Sequence, residues 1–161
     1  MNGSLKYHSY RNINDYLRKH KREVAKNCVK FIIIVVRKCF MQTIAQALDK
    51  LQRSKFRASF HLSAKEKAYA NEKGRDVIEQ HTYDFVRTRL APAFPKNDGH
   101  QTPMKGHPTF VAQHACAACC RGCLNQWYHV QEGVALDDVQ VTKIVNLLMA
   151  FIDREMGWDQ V

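Results

Sequence analysis

The sequence predicts a mainly α-helical fold: a small bundle of about five helices with one long loop rich in proline and glycine. Apolar residues recur three or four positions apart in several stretches, which is the period of a helix that buries one face. Two stretches begin with a Ser or Asp that has a Glu or Gln three positions later, the pattern that caps a helix start. The four prolines all fall between residues 92 and 108, so this segment is predicted to be a loop.

Length and charge predict one domain preceded by a basic arm. At 161 residues the chain can bury one sizeable core. Residues 1–40 carry ten Lys or Arg against two acids, and 41–161 carry fifteen against thirteen, so most of the net charge of +10 belongs to the arm. We predict a basic extension over 1–40, disordered or the product of a start upstream of Met41, and a helical domain over 41–161. The arm either contacts the phosphates of lipid or nucleic acid or plays no part in the working protein.

The first half of this domain predicts two helices. The first covers 41–52, where Ile44, Leu48 and Leu51 recur at helical spacing. A packed irregular segment follows, in which Lys55 and Arg57 are expected to face solvent. Ser63 and Glu66 form a capping box that opens the next helix, and Gly74 ends it after Lys73.

The second half predicts three more helices and the loop. Asp76 is expected to cap a helix that ends before Pro92, and the loop 92–108 follows it. Pro108 suits a first helical position, and the helix it starts is expected to run into the cysteine stretch, with a break near Gly122. Asp137 caps the last helix, whose predicted buried stripe is Val141, Ile144, Val145, Leu148, Phe151 and Ile152.

Residues 106–129 concentrate the side chains that bind soft metal ions. They hold four of the six cysteines and three of the eight histidines of the chain. Thiolate and imidazole are the ligands of zinc and of iron–sulfur centres, and a Cys-x-x-Cys pair places two sulfurs on one metal. Zinc is the predicted metal, with an iron–sulfur centre as the less favoured alternative, and the predicted ligands are Cys120, Cys123, His114 and His107, with Cys119 as the substitute for Cys120.

Two other interpretations of the cysteines stay open. Reduced cysteine is a small apolar residue, so the stretch could be a tightly packed helix of inert thiols. A redox-active or nucleophilic thiol is the other alternative. The cysteines are clustered and unevenly spaced, unlike those of a disulfide framework. This pattern predicts reduced thiols and a cytoplasmic protein.

A catalytic metal would need a base. No acid lies between Asp98 and Glu132, so the cysteine stretch brings no carboxylate of its own. This absence favours a structural metal. The rival is a metal-dependent hydrolase or nucleotide-acting enzyme, with Asp98 or a histidine as base in a site beneath the 92–108 loop; the sequence does not specify its small-molecule substrate.

Short motifs from Leu51 onward are specific enough to carry a resemblance: KFR at 55–57, FHL at 60–62, RLAPA at 89–93, NDG at 97–99, QTPM at 101–104, GHP at 106–108, AQHA at 112–115 and CCRGCL at 119–124, with Trp127 after them. In these motifs the chain resembles an uncharacterised family of short bacterial proteins, known as a domain of unknown function. The resemblance implies no activity and no catalytic residues. It implies a protein about the size of residues 41–161, and it makes Cys116 the least favoured ligand, because the family has Thr there.

The sequence therefore predicts a small intracellular binding module with a structural Cys/His zinc site. Residues 53–105 carry a net +5 and 106–161 a net −3, a pattern that fits either a face that binds nucleic-acid phosphates or an ordinary solvated surface, and we favour the solvated surface. No transmembrane segment is predicted, because the apolar run from Phe31 to Val36 is six residues long, far short of the roughly 20 residues that cross a bilayer. The alternatives are the enzyme described above and a thiol redox sensor.

Overall fold

The computed structural model describes residues 44–158, which are helical with no strand. A first helix, α1, covers residues 44–52. The others are α2 (Lys55–Ala58), α3 (Ala64–Lys73), α4 (Arg75–Phe85), α5 (Pro108–Ala115), α6 (Arg121–Tyr128) and α7 (Asp138–Met156), and α4 continues as a π-helical turn over Val86–Leu90. The predicted mainly helical fold is confirmed, with two short helices beyond the five that the sequence indicated.

The helix starts read from the sequence are confirmed where a side chain closes the first turn. Ser63 accepts from the backbone N–H of Glu66 while Glu66 reaches back, so the capping box of α3 is present, and Asp137 and Gln140 form the same arrangement at α7. Pro108 is the first residue of α5. These devices act within one turn of backbone, which is why the sequence alone locates them.

Three local predictions were wrong. Asp76 lies in the first turn of α4, whose cap position is Gly74. The helix that begins at Pro108 does not run through the cysteines; it ends at Ala115, and a new helix begins at Arg121. The break lies at Ala117, which has a positive φ of 51°, and Gly122 is an ordinary helical residue inside α6.

Helix α7 forms the centre of the core. All six residues of its predicted stripe are buried, and the helix packs against α4 and α5. Helices α4 and α5, which both pack against α7, are linked to each other by a buried hydrogen bond of 2.7 Å between the hydroxyls of Thr82 and Thr109. Burial of this apolar stripe is the main contribution to stability, at about 25 cal/mol per Å² of apolar surface removed from water.

A buried arginine joins the ends of the irregular segments. Arg121 is 1% exposed, and its guanidinium donates to five backbone carbonyls. One belongs to Leu90, the last residue of the π-helical turn, and two to Ala91 and Pro92, which follow it. The other two belong to Gln131 and Val134, in the segment after α6. Arg121 therefore anchors α6, and with it the cysteine stretch, to the rest of the domain.

The predictions for residues 1–40 lie outside the described residues. The division into a basic extension and a domain starting at 41 stays a prediction. Of the helices between residues 44 and 158, none is long and apolar enough to cross a bilayer.

Candidate metal centre

The turn between α5 and α6 brings three cysteines together. Cys120 is the cap residue of α6, in extended conformation, and its Sγ accepts from the backbone N–H of Cys123 at 3.4 Å. Cys123 lies one turn into α6, and its Sγ is 3.5 Å from that of Cys119. The Cys-x-x-Cys pair is thus formed by a helix start, and the extended backbone before it adds Cys119.

The spacing of the three sulfurs suits a single ion. All three Sγ atoms lie within 4.8 Å of one another. Tetrahedral coordination at a Zn–S distance of about 2.3 Å places two sulfurs about 3.8 Å apart, close to the 3.5 Å seen between Cys119 and Cys123. Cys119 is buried and the other two are half-buried. This group could hold a metal ion.

Arg57 supplies a positive charge beside these sulfurs. Its guanidinium donates to Cys123 Sγ at 3.2 Å and to the backbone carbonyl of His114 at 2.7 Å. Arg57 is 7% exposed, so the prediction that it faces solvent was wrong. The two acceptors are distant in sequence, which is why the pattern around Arg57 gave no sign of them.

The thiols do not ionise alike. The hydrogen bond between Cys119 and Cys123 lowers the pKa of Cys119 against the opposing effect of burial, and the charge of Arg57 lowers it further. The same bond raises the pKa of Cys123, and burial raises that of Cys120. Cys119 is therefore the first of the three to become a thiolate, which is the form that binds metal.

His107 belongs to a different cluster. Its Nδ1 accepts from the backbone N–H of Thr109 at 3.1 Å and so caps α5, and its Nε2 lies 3.3 Å from Nδ1 of His81. Burial, followed by the nearby His81, lowers the pKa of His107 to about 4. Both ring nitrogens are thus engaged, and the structure does not bring His107 to the cysteines.

His114 lies nearer to the sulfur group along the chain but is not part of it. Its Nε2 is 3.2 Å from the carbonyl oxygen of Thr102, and its ring stacks on Phe60. Because a carbonyl only accepts, Nε2 must carry the proton, which leaves the lone pair on Nδ1. A ligating histidine has this tautomer, with the second nitrogen donating to a carbonyl.

Within residues 44–158, the group of ligand atoms contains the three cysteines without a carboxylate or a histidine nitrogen. Asp98, the base predicted for an enzyme, accepts from the backbone N–H groups of Gly99 and Arg121 and from the amide of Gln101. Its bond to Arg121 places it at the start of α6. Asp98 therefore helps to hold the turn that carries the cysteines.

A comparison with protein families agrees with the motifs. The model of the family described as "Domain of unknown function (DUF4186)" matches residues 45–153. The chain belongs to this family. The matched range covers the sulfur group, Arg57 and the whole loop, and the prediction of an uncharacterised family is confirmed. No solved structure matches the chain.

In this member of the DUF4186 family, sequence reasoning missed Arg57 and Arg121 as parts of the site. Arg57 lies in the KFR motif and Arg121 in the CCRGCL motif, and their place in these motifs was the sign in the sequence that they belong to the site. Charged residues are rarely buried without partners, so charge by itself predicts a surface position. Cys116, the fourth cysteine, is fully buried away from the group's ligand set, and burial raises its thiol pKa.

Proposed function

We propose that this protein is a metal-binding module in which Cys119, Cys120 and Cys123 hold one zinc ion. The observation that carries the proposal is the grouping of the three sulfur atoms within 4.8 Å. Three thiolates on Zn²⁺ leave one negative charge, and Arg57, bonded to Cys123, offsets it. An iron–sulfur cluster places at most two of its cysteines on one iron atom, so three sulfurs this close together favour a single ion.

His114 is the fourth ligand in this proposal. Its Nδ1 carries the lone pair, its Nε2 is held by a backbone carbonyl, and its own carbonyl shares Arg57 with Cys123. A closed Cys₃His site is structural, whereas a water in the fourth position would leave an open centre of the kind that zinc enzymes use.

The test is the metal content of the purified protein. We expect about one equivalent of zinc per chain, and loss of most of it in Cys119→Ser, Cys120→Ser and Cys123→Ser. Cys116→Ala is the matched control, since it removes a thiol that lies outside the group and should keep the metal. Circular dichroism of each variant shows whether lost metal reflects a lost ligand or a lost fold. Full zinc content in the three serine variants would remove the proposal.

The visible spectrum of the Co²⁺-substituted protein identifies the fourth ligand. We expect a tetrahedral S₃N spectrum that changes in His114→Ala, with metal affinity about 10- to 100-fold weaker. His107→Ala is the control, because His107 lies in another cluster. An unchanged spectrum in His114→Ala would mean that a water or a bound partner completes the site.

A thiol redox pair is the second candidate, because the sulfurs of Cys119 and Cys123 are 3.5 Å apart. With a peroxide as oxidant, the Cys119 thiolate attacks one peroxide oxygen, the O–O bond breaks, and the other oxygen leaves as hydroxide or alkoxide and takes up a proton, so that Cys119 becomes a sulfenic acid. The Cys123 thiol then displaces the hydroxyl as water, forming the disulfide. Metal-free protein that forms this disulfide reversibly supports the redox candidate; zinc that protects both thiols from peroxide supports the metal site.

We propose nucleic acid as the partner of the module. We also propose a reducing, cytoplasmic setting, because the cysteines of the site are free thiols. Exposed Lys50, Arg53 and Lys55 precede Phe56 within seven residues of sequence, Phe56 is 56% exposed, and Lys50 lies 5.7 Å from the ring centroid of Trp127. Basic side chains beside aromatic rings bind single strands through phosphates and stacked bases. Affinity for a single-stranded oligonucleotide should fall with salt and with Arg53→Ala/Lys55→Ala; affinity insensitive to both would exclude this partner.

A further inference from the structure

A cleft of about 570 Å³ lies beside the loop, and none of its lining residues is a proposed zinc ligand. One wall comes from residues 59–69, the other from residues 104–106 of the loop, and Val111 of α5 contributes to the lining. This volume falls in the range of small-molecule sites, roughly 300–1,000 Å³. A Cβ built on Gly106 would meet no atom within 4 Å, so the wall is open there.

The two walls are joined by a buried carboxylate. Glu66 is 6% exposed and accepts from the backbone N–H of Gly106 at 2.8 Å, across the cleft wall, and from the backbone N–H and the hydroxyl of Ser63. Burial alone raises the pKa of Glu66, but the bonds from Gly106 and Ser63 outweigh it and hold the pKa below its usual range. The negative charge of Glu66 is therefore satisfied inside the protein, and the cleft is pre-formed.

The other charges that line the cleft are positive. Lys65 on α3 and Lys105 on the loop are exposed lining residues, and within residues 44–158 neither forms a salt bridge. The third basic lining residue, His61, is paired with Glu155 at 3.0 Å. Two lysines that line one cleft, one on α3 and one on the loop, favour an anionic ligand.

The remaining surface of the cleft is apolar. Phe60, Tyr69, Met104 and Val111 line it. One face of the Phe60 ring is covered by His114 in a near-parallel stack. Flat rings and a methionine thioether pack well against an aromatic body.

We propose that this cleft binds a small organic anion with a flat aromatic body. The aromatic part lies against Phe60, Tyr69 and Met104, and the anionic group lies between Lys65 and Lys105. No residue that lines the cleft is a proposed zinc ligand, but His114 stacks on Phe60, so the test below measures zinc content alongside binding.

The test uses two probes that differ in charge but hardly in shape: 2-naphthoate and 2-naphthamide. Binding is followed by titration of ¹⁵N–¹H spectra of the full chain, with the Gly106 amide as the local reporter. We expect saturable binding of 2-naphthoate, shifts at Gly106 and at residues 63–69, weaker binding of 2-naphthamide, and weakening by salt. Equal binding of the two probes, or shifts confined to other surfaces, would overturn the proposal.

A pair of double variants then tests the lysines. Lys65→Met/Lys105→Met should weaken 2-naphthoate binding about fivefold to tenfold, since each partly exposed charge contributes little by itself. Lys96→Met/Lys143→Met removes the same net charge outside the cleft. A loss at least threefold larger in the first pair supports the proposal, and a smaller difference refutes it. Zinc content, measured on the same samples, separates this result from failure of the metal site.

Discussion

Replacing Arg121 with Met is expected to destabilise the domain by about 3 kcal/mol. The guanidinium is 1% exposed and donates to five carbonyls, of which two are short, to Gln131 at 2.6 Å and Val134 at 2.7 Å. Hydrogen bonds to a charged group contribute about 1.5–3 kcal/mol each, so these two amount to roughly 3–6 kcal/mol. The three long bonds, at 3.3–3.5 Å, add less.

Two terms bring the sum to the lower end of this range. Methionine removes the cost of burying a charge. The bonds to the carbonyls of Gln131 and Val134 are only partly buried, so these carbonyls can bond to water when the guanidinium is absent. At about 4 °C per kcal/mol for a domain of this size, the melting temperature should fall by roughly 12 °C.

Thermal and urea unfolding of Arg121→Met, followed by circular dichroism, measure this loss. Because Arg121 lies between Cys120 and Cys123, the comparison is made with zinc and with chelator, so that lost metal is not mistaken for lost hydrogen bonds. Arg87→Met is the control: that arginine is exposed and pairs with Asp138 on the surface, and its loss should fall within experimental error. A loss below about 1 kcal/mol for Arg121→Met under both conditions would refute the reasoning.

Three further predictions follow from the structure. Arg57→Met should weaken zinc binding about tenfold in a chelator competition, because the charge beside Cys123 is lost, whereas Arg53→Met should not. Glu66→Gln should cost about 1–2 kcal/mol of unfolding free energy at pH 7; since the folded pKa of Glu66 is depressed, the difference from wild type should shrink as pH falls below about 4.5. His107→Asn keeps a capping residue without a titrating ring, and the folded pKa of His107, about 4, lies below its unfolded value. The wild type should therefore lose more stability than His107→Asn between pH 6.5 and 4, measured by urea unfolding in chelator, and parallel losses would contradict the burial of a neutral His107.

Local chemistry accounts for what could be predicted of the fold. The capping boxes at Ser63 and Asp137 and the proline at 108 each act within a turn of helix, and all three are where the sequence placed them. The break between α5 and α6 was misplaced because glycine is the usual residue at positive φ, whereas here Ala117 adopts it. Its neighbours override the preference: Cys116 and Ala118 on either side are buried, and the N–H of Ala118 donates to the carbonyl of Gln113.

For the candidate site, the sequence by itself determined the ligand inventory: a Cys-x-x-Cys pair, an adjacent cysteine and nearby histidines, all within 24 residues. Only the tertiary structure decided which of them meet. Sulfur atoms four residues apart can be grouped by one helix start, but His107 is held by His81 and Thr109, and Arg57 reaches Cys123 across 66 positions of sequence. Such long-range contacts depend on how α2, α4 and α5 pack around the core. A short sequence pattern reflects the secondary-structure preference of its own segment, and it carries no information about which other segments lie beside it in the fold.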